Sequence, residues 1–162
     1  MKKRILTAII CCFTSISFAQ LVQGELKIKE QSKLELTVQS NKAVNLYADF
    51  RENKYQIQFA FTGNSIPVNS DKKVVVQFVF TTIVKKDGKV VGTTKRNPIP
   101  FFPGDMLMPV ETFDFISILS NLQNNSEDNI SEIPKGNYEI LLEAKPINMK
   151  GEIASARLFF KI

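Results

Sequence analysis

The chain has no histidine and no tryptophan, and its only two cysteines, Cys11 and Cys12, stand side by side near the N-terminus. Each absence removes chemistry. Without histidine, serine–histidine and cysteine–histidine nucleophilic catalysis are excluded for this chain alone. Zinc sites built on imidazole or thiolate, haem held by histidine and cysteine-ligated iron–sulfur clusters are excluded as well. Carboxylate, lysine, tyrosine and hydroxyl chemistry remain. The lack of tryptophan removes the usual platform of sugar-binding sites, although phenylalanine and tyrosine can take that role. No catalytic residue, metal ligand or cofactor is assigned, and the protein is read as a non-enzyme.

The 162 residues suit one ordinary domain. Hydrophobic residues make up 44 % and charged residues 23 %, enough apolar material for a real core and too little for a polytopic membrane protein. The first stretch reads as a secretory signal peptide. Lys2, Lys3 and Arg4 form a basic start, residues 5–18 are an apolar run, and Ser17 and Ala19 place small side chains at −3 and −1 of a cleavage site. Cleavage is expected between Ala19 and Gln20. The run is shorter than the roughly 17–25 residues that span a bilayer, which argues against an uncleaved anchor. A lipidated cysteine needs a small residue before it, whereas Cys11 follows Ile10 and Cys12 follows Cys11.

Removing residues 1–19 leaves 18 basic and 16 acidic side chains, so the net charge falls from +5 to +2. Much of the basicity is then a targeting feature and gives little support for nucleic-acid binding. Both cysteines leave too. The expected product is a cysteine-free protein of the periplasm or the exterior, with no transmembrane anchor after cleavage, held together by its core.

From there on the dominant period is two. Tyr55, Ile57, Phe59 and Phe61 alternate with Gln56, Gln58 and Ala60, the mark of a half-buried strand. Val74, Val76, Phe78 and Phe80, with Val75 and Val79 also apolar, read as a central strand. It runs through Ile83 and Val84 to Asp87-Gly88, a hairpin signal, and returns at Val90 and Val91, weakened by Gly92. Tyr138, Ile140, Leu142 and Ala144 mark a late strand; after a turn over 146–151, Ala154, Ala156, Leu158, Phe160 and Ile162 mark the last. Shorter opening strands are expected at Leu26 and Ile28, at Leu34, Leu36 and Val38, and at Val44, Leu46 and Phe50. Residues 113–122 fit either period; a strand over 110–119 is favoured, followed by a solvated loop over 121–131. The whole reads as an all-β antiparallel sandwich of about seven to nine strands, one domain over 20–162.

The run Ile133-Pro134-Lys135-Gly136-Asn137-Tyr138, followed by alternating Ile140, Leu142 and Ala144, resembles the penultimate strand of immunoglobulin-like sandwiches. The resemblance implies a tyrosine corner at Tyr138, its hydroxyl bonded back to the preceding loop. Residues 153–162 resemble the last strand of bacterial immunoglobulin-like modules. The likeness covers about the last 30 residues and lacks the paired cysteines and core tryptophan of antibody domains. A generic hairpin opening on a Pro-Gly turn is the other reading of the same residues.

The most unusual stretch is 97–110, with Pro98, Pro100, Pro103 and Pro109 among Ile99, Phe101, Phe102, Met106, Leu107 and Met108. Repeated prolines disfavour an internal strand. Two readings follow: Phe101, Phe102 and Leu107 cover one edge of the sandwich, or Phe101, Phe102, Met106, Leu107 and Met108 form an apolar loop that docks a partner, a lipid or a membrane surface. Other candidates read more simply as surface. Ser70-Asp71-Lys72-Lys73 has the S-x-x-K spacing of penicillin-recognising enzymes, but in a loop and not on a helix. Glu139 and Glu143 share the outer face of one strand, where paired carboxylates can serve acid–base work. Glu127-Asp128 beside Asn125 and Asn129 offers oxygen ligands at a spacing that matches no calcium loop. Lys85, Lys86, Lys89, Lys95 and Arg96 line the hairpin, where charge deters edge-to-edge aggregation. Asn124-Asn125-Ser126 and Asn129-Ile130-Ser131 are glycosylation sequons.

The sequence therefore points to an exported, non-catalytic binding or accessory module of a bacterial envelope, touching a protein partner through 97–110. A carrier of an apolar small molecule or lipid is the alternative.

Overall fold

The computed structural model describes residues 21–38, 42–52, 55–63, 75–122 and 132–162. The cleavage pair Ala19–Gln20, the Ser70–Lys73 motif, the Glu127-Asp128 pair and both sequons lie outside the described residues. Within them the chain is mostly strand: β1 (Leu21–Ile28), β2 (Lys33–Leu36), β3 (Ile57–Gly63), β4 (Val76–Lys86), β5 (Lys89–Lys95), β6 (Ile99–Phe101), β7 (Gly104–Met108), β8 (Asn137–Pro146), β9 (Lys150–Gly151) and β10 (Ala154–Lys161). Two short helices interrupt them, α1 (Ala43–Arg51) and α2 (Phe115–Asn121), the second preceded by a 3₁₀ turn, Val110–Thr112.

The strands form two sheets. One has the order β7-β3-β1-β9; the other has β2-β10-β8-β4-β5, with β6 also paired to β4. Most neighbours are antiparallel, but β1 pairs with β9 and β2 with β10 in parallel. The sheets are therefore mixed, which corrects the wholly antiparallel expectation. Both parallel pairs join strands remote in sequence, so no local pattern announces them.

Alternation decides which side chains go inside. Ile57, Phe59 and Phe61 of β3 point inward and meet Val76, Phe78 and Phe80 of β4. Phe59 lies edge-on to Phe78 at 4.9 Å and to Phe80 at 5.5 Å. Burying each such ring contributes roughly 1.5–3 kcal/mol, and edge-to-face contact about 0.5–1.5 kcal/mol more. Where β1 crosses β10 the side chains shrink to Ala154 and Ala156, both buried. A Cβ on Gly24 would come to 3.1 Å from Ala154 Cβ, so the sheets are close here because the residues are small.

Three further expectations are corrected. The segment with Val44, Leu46 and Phe50 is α1. Leu46 and Phe50, four apart and both buried, fall on one helical face and dock inward, with Phe50 edge-on to Phe115 at 5.0 Å. The strand expected over 110–119 is the 3₁₀ turn followed by α2. Phe115 and Leu119 are fully buried four residues apart, and Asp114 turns the chain with φ 56°. Ile118 packs where a Cβ on Gly92 would lie only 2.2 Å from its Cγ2, so Gly92 of β5 makes room for the helix. The third correction concerns 97–110, which forms the candidate site.

Candidate functional site

Residues 97–110 are two short edge strands, not a loop. β6 pairs with β4 through Val76↔Phe101, Gln77↔Pro100 and Phe78↔Ile99. β7 pairs with β3 through Ile57↔Met108, Gln58↔Leu107, Phe59↔Met106, Ala60↔Asp105 and Phe61↔Gly104. Pro100 is tolerated because β6 is an edge strand, where a missing donor need not break a ladder. Pro98, Pro103 and Pro109 stand outside the strands. The chain thus leaves one sheet at Phe101 and joins the other at Gly104, closing one side of the sandwich.

Alternation divides the five candidate contact residues. Phe101 turns inward, edge-on to Phe80 at 5.5 Å. Met108 is buried, and Met106 is partly buried against the core. Leu107 faces out at 62 % exposed, and Phe102, at the corner between the strands, is 51 % exposed. Phe101, Met106 and Met108 cover the sandwich edge, whereas Phe102 and Leu107, expected to share that role in the first reading, present apolar surface to solvent.

Leu107 forms a ridge between two open depressions. The first, about 370 Å³, lies over the outer face of β1, β3 and β7 and is lined by Glu25, Lys27, Gln58, Ala60, Asp105 and Leu107 among others. The second, about 390 Å³, lies between the end of α1 and the end of β7, lined by Phe50, Arg51, Tyr55, Leu107, Pro109 and Glu111 among others. The register explains the first. Glu25, Ala60 and Asp105 form one row across the three strands, and Lys27, Gln58 and Leu107 form the next. Ala60 leaves a hollow between two carboxylates. Lys27 pairs with Glu25 at 2.8 Å, so Asp105 is the carboxylate nearest the open edge. Beside the second depression, Tyr47 donates its hydroxyl to Glu111; that bond lowers the Glu111 pKa and raises that of Tyr47. Arg96 fixes the same turn by donating to the Glu111 carbonyl and pairing with Asp114 at 3.4 Å.

The remaining candidates gather at the hairpin end. Asp87 and Gly88 have φ 49° and 80°, the two left-handed residues that a two-residue hairpin needs. The Asp87 carboxylate accepts from the Asn137 backbone N–H at 2.9 Å and from its side-chain amide at 3.2 Å, while Asp87 N–H donates to the Asn137 carbonyl at 2.8 Å. The N–H of Asn137 holds the Asp87 carboxyl below its ordinary pKa. Tyr138 donates its hydroxyl to the Pro134 carbonyl at 2.6 Å and stacks on Phe160 at 5.0 Å. Burial first, then the Asp87 charge, pushes its pKa up to about 12. Gly136, at φ 157°, exchanges two 3.1 Å backbone bonds with Ile162. These bonds and the ring stack hold the corner together.

On the outer face of the larger sheet one charge cluster is matched. Glu139 lies between Lys85 at 3.1 Å and Arg157 at 3.4 Å. Glu139 and Glu143 stand about 13 Å apart along β8 at strand rise, beyond direct coupling. Among the described residues, no three acidic, cysteine or histidine side chains gather as a metal site.

Sequence reasoning missed the neighbours of Leu107. Period two marks Gln58 and Ala60 as the wet face of β3, but only the strand order brings Glu25 and Lys27 beside Asp105. No family model matches the chain, and comparison with curated proteins and with solved structures finds no match either.

Proposed function

We propose that the protein is an exported, non-catalytic binding or accessory module of a bacterial envelope, an immunoglobulin-like sandwich that meets a protein partner through its β6–β7 edge. The observation that carries this is the Leu107 ridge: a large aliphatic side chain held 62 % exposed on an open sheet edge, between two depressions. Rimmed apolar surface of this kind marks interaction sites. The Tyr138–Pro134 bond supports the immunoglobulin-like reading, because the same bond makes the tyrosine corner of such folds. The carrier reading needs space between the sheets. Phe59, Phe61, Phe78 and Phe80 fill that space, so the described interior lends it no support.

The test is the native mass of the protein purified gently from its own cell envelope, beside Leu107→Lys. Added protein mass that the variant loses is the expected result. A chain that runs alone, or added mass that the variant keeps, refutes the edge as the contact surface. Added mass of lipid size restores the carrier reading.

A further inference from the structure

Among the described residues there are five strand edges, and four of them are blunted. β9 is two residues long and β6 is three, with Pro100 at its centre. β2 has four residues and opens on Lys33. β5 has lysine at both ends, and its pairing with β4 is broken by an irregularity between Val84 and Lys85. Short length, proline, lysine and bulges are the devices that stop one sheet from adding to another. β7 has no proline, lysine or bulge within its five residues. It pairs with β3 one to one over its whole length, and it has no described strand on its other side. Alternate residues of an edge strand direct their N–H and C=O away from the sheet. Pro103 and Pro109 bracket this open run, so the free edge is a window of five residues, 104–108.

Resting on the edge proposed above as the contact surface, we infer that β7 takes an added strand from a partner: an extended segment carrying a basic side chain opposite Asp105 and an apolar one opposite Leu107. Main-chain bonds give such an addition its affinity and alternate side chains give it specificity. The outward face supplies the pattern. Asp105 and Leu107 both point outward, two residues apart. A strand laid beside β7 must place one side chain against each. The row behind Asp105 already holds Glu25, so the side chain facing Asp105 is best a cation; Leu107 takes an aliphatic one. A second copy of this chain fits less well. Two β7 strands paired antiparallel over all five residues set each Asp105 opposite a Leu107. Sliding the register one pleat either way leaves only three residues paired, and in one direction sets Asp105 opposite Asp105.

The experiment uses the purified protein and capped five-residue peptides: TVTKT, which matches the window when antiparallel, TKTVT, which matches it when parallel, and the same peptides with glutamate for lysine. Amide shifts read the site. One lysine peptide is expected to shift residues 104–108 and the facing β3. It should bind about five- to tenfold more tightly than its glutamate counterpart. Asp105→Lys should invert that order, and N-methylated backbone amides should abolish binding. Because Asp105→Lys must gain affinity for the glutamate peptide, a misfolded variant cannot imitate the result. No binding by either lysine peptide, shifts centred elsewhere, or an order that Asp105→Lys leaves unchanged overturns the inference. A dimer that Leu107→Lys dissolves assigns the window to a second copy and overturns it as well. If Leu107→Lys sheds the native partner while no peptide binds, strand addition falls and the edge remains the contact surface.

Discussion

The hairpin corner and the β7 edge are built from the same materials to opposite ends. At the corner, Asp87, Asn137, Tyr138, Pro134, Gly136 and Ile162 satisfy one another across three stretches of chain. These bonds tie the three stretches together, and the one large ring is stacked and buried. Among the described residues the β7 ladder closes on one side only, and Leu107 stands largely in water. Leaving a strand edge and an aliphatic side chain unmatched contributes nothing to the monomer and exposes it to aggregation. The partner proposed above would cover that surface. The comparison makes a simple demand: changes at the corner should cost stability, and changes at the edge should cost contact.

The largest expected effect is at Tyr138. Tyr138→Ala removes a 2 % exposed ring and its stacking on Phe160, and should lower unfolding free energy by about 3–5 kcal/mol. Tyr138→Phe keeps the ring and leaves the Pro134 carbonyl without its donor, at about 1–2 kcal/mol. Chemical denaturation of both variants separates ring from hydroxyl. Equal losses would show that the hydroxyl bond carries the corner, and no loss would break the comparison at its stable side.

The next effect is read by pH. Folding lowers the Asp87 pKa, so the unfolded chain binds this proton more readily. Its contribution is fully present above the ordinary carboxylate pKa of about 4 and is lost as pH falls through the lowered folded value. Tyr138 has the opposite sign. Its folded pKa is raised to about 12, so its contribution holds below about pH 10 and is lost as pH rises through about 12. Stability measured against pH should therefore drop at both extremes. Asp87→Asn should flatten the acid limb and Tyr138→Phe the alkaline limb. An unchanged acid limb in Asp87→Asn would show that the corner does not depend on that charge.

The corner was far more legible than the edge. Alternation located β3, β4, β8 and β10, because one face of each is buried and period two survives intact. Asp87-Gly88 marked its own turn, since few residue pairs accept two positive φ angles. The helices did not announce themselves. Leu46 with Phe50 and Phe115 with Leu119 each give a single four-residue spacing, too little for a helical stripe. What makes α2 a helix is its seat on β5, where Gly92 yields to Ile118. The edge was hidden by its prolines. They forbid a central strand, and 97–110 was accordingly expected to be a loop, yet edge strands accept proline at the ends and on the open side. Leu107 was legible as an apolar candidate. Its charged neighbours were not, because residues 25, 58 and 105 meet only through strand order.

The smallest effect is the sharpest. Leu107→Lys replaces a side chain that the monomer leaves 62 % exposed, so its unfolding free energy should change by no more than about 0.5 kcal/mol. Met108→Lys, one residue on, places a charge where the side chain is 8 % exposed and should destabilise by several kcal/mol. Adjacent positions on one strand thus give opposite results because period two sends them to opposite faces. Denaturation of the pair tests the register of β7 directly: if Leu107→Lys also destabilised strongly, Leu107 would belong to the core and the edge would have no ridge to offer. With the register upheld, Leu107→Lys becomes a clean probe, since a partner lost from a fully stable variant is lost through contact alone.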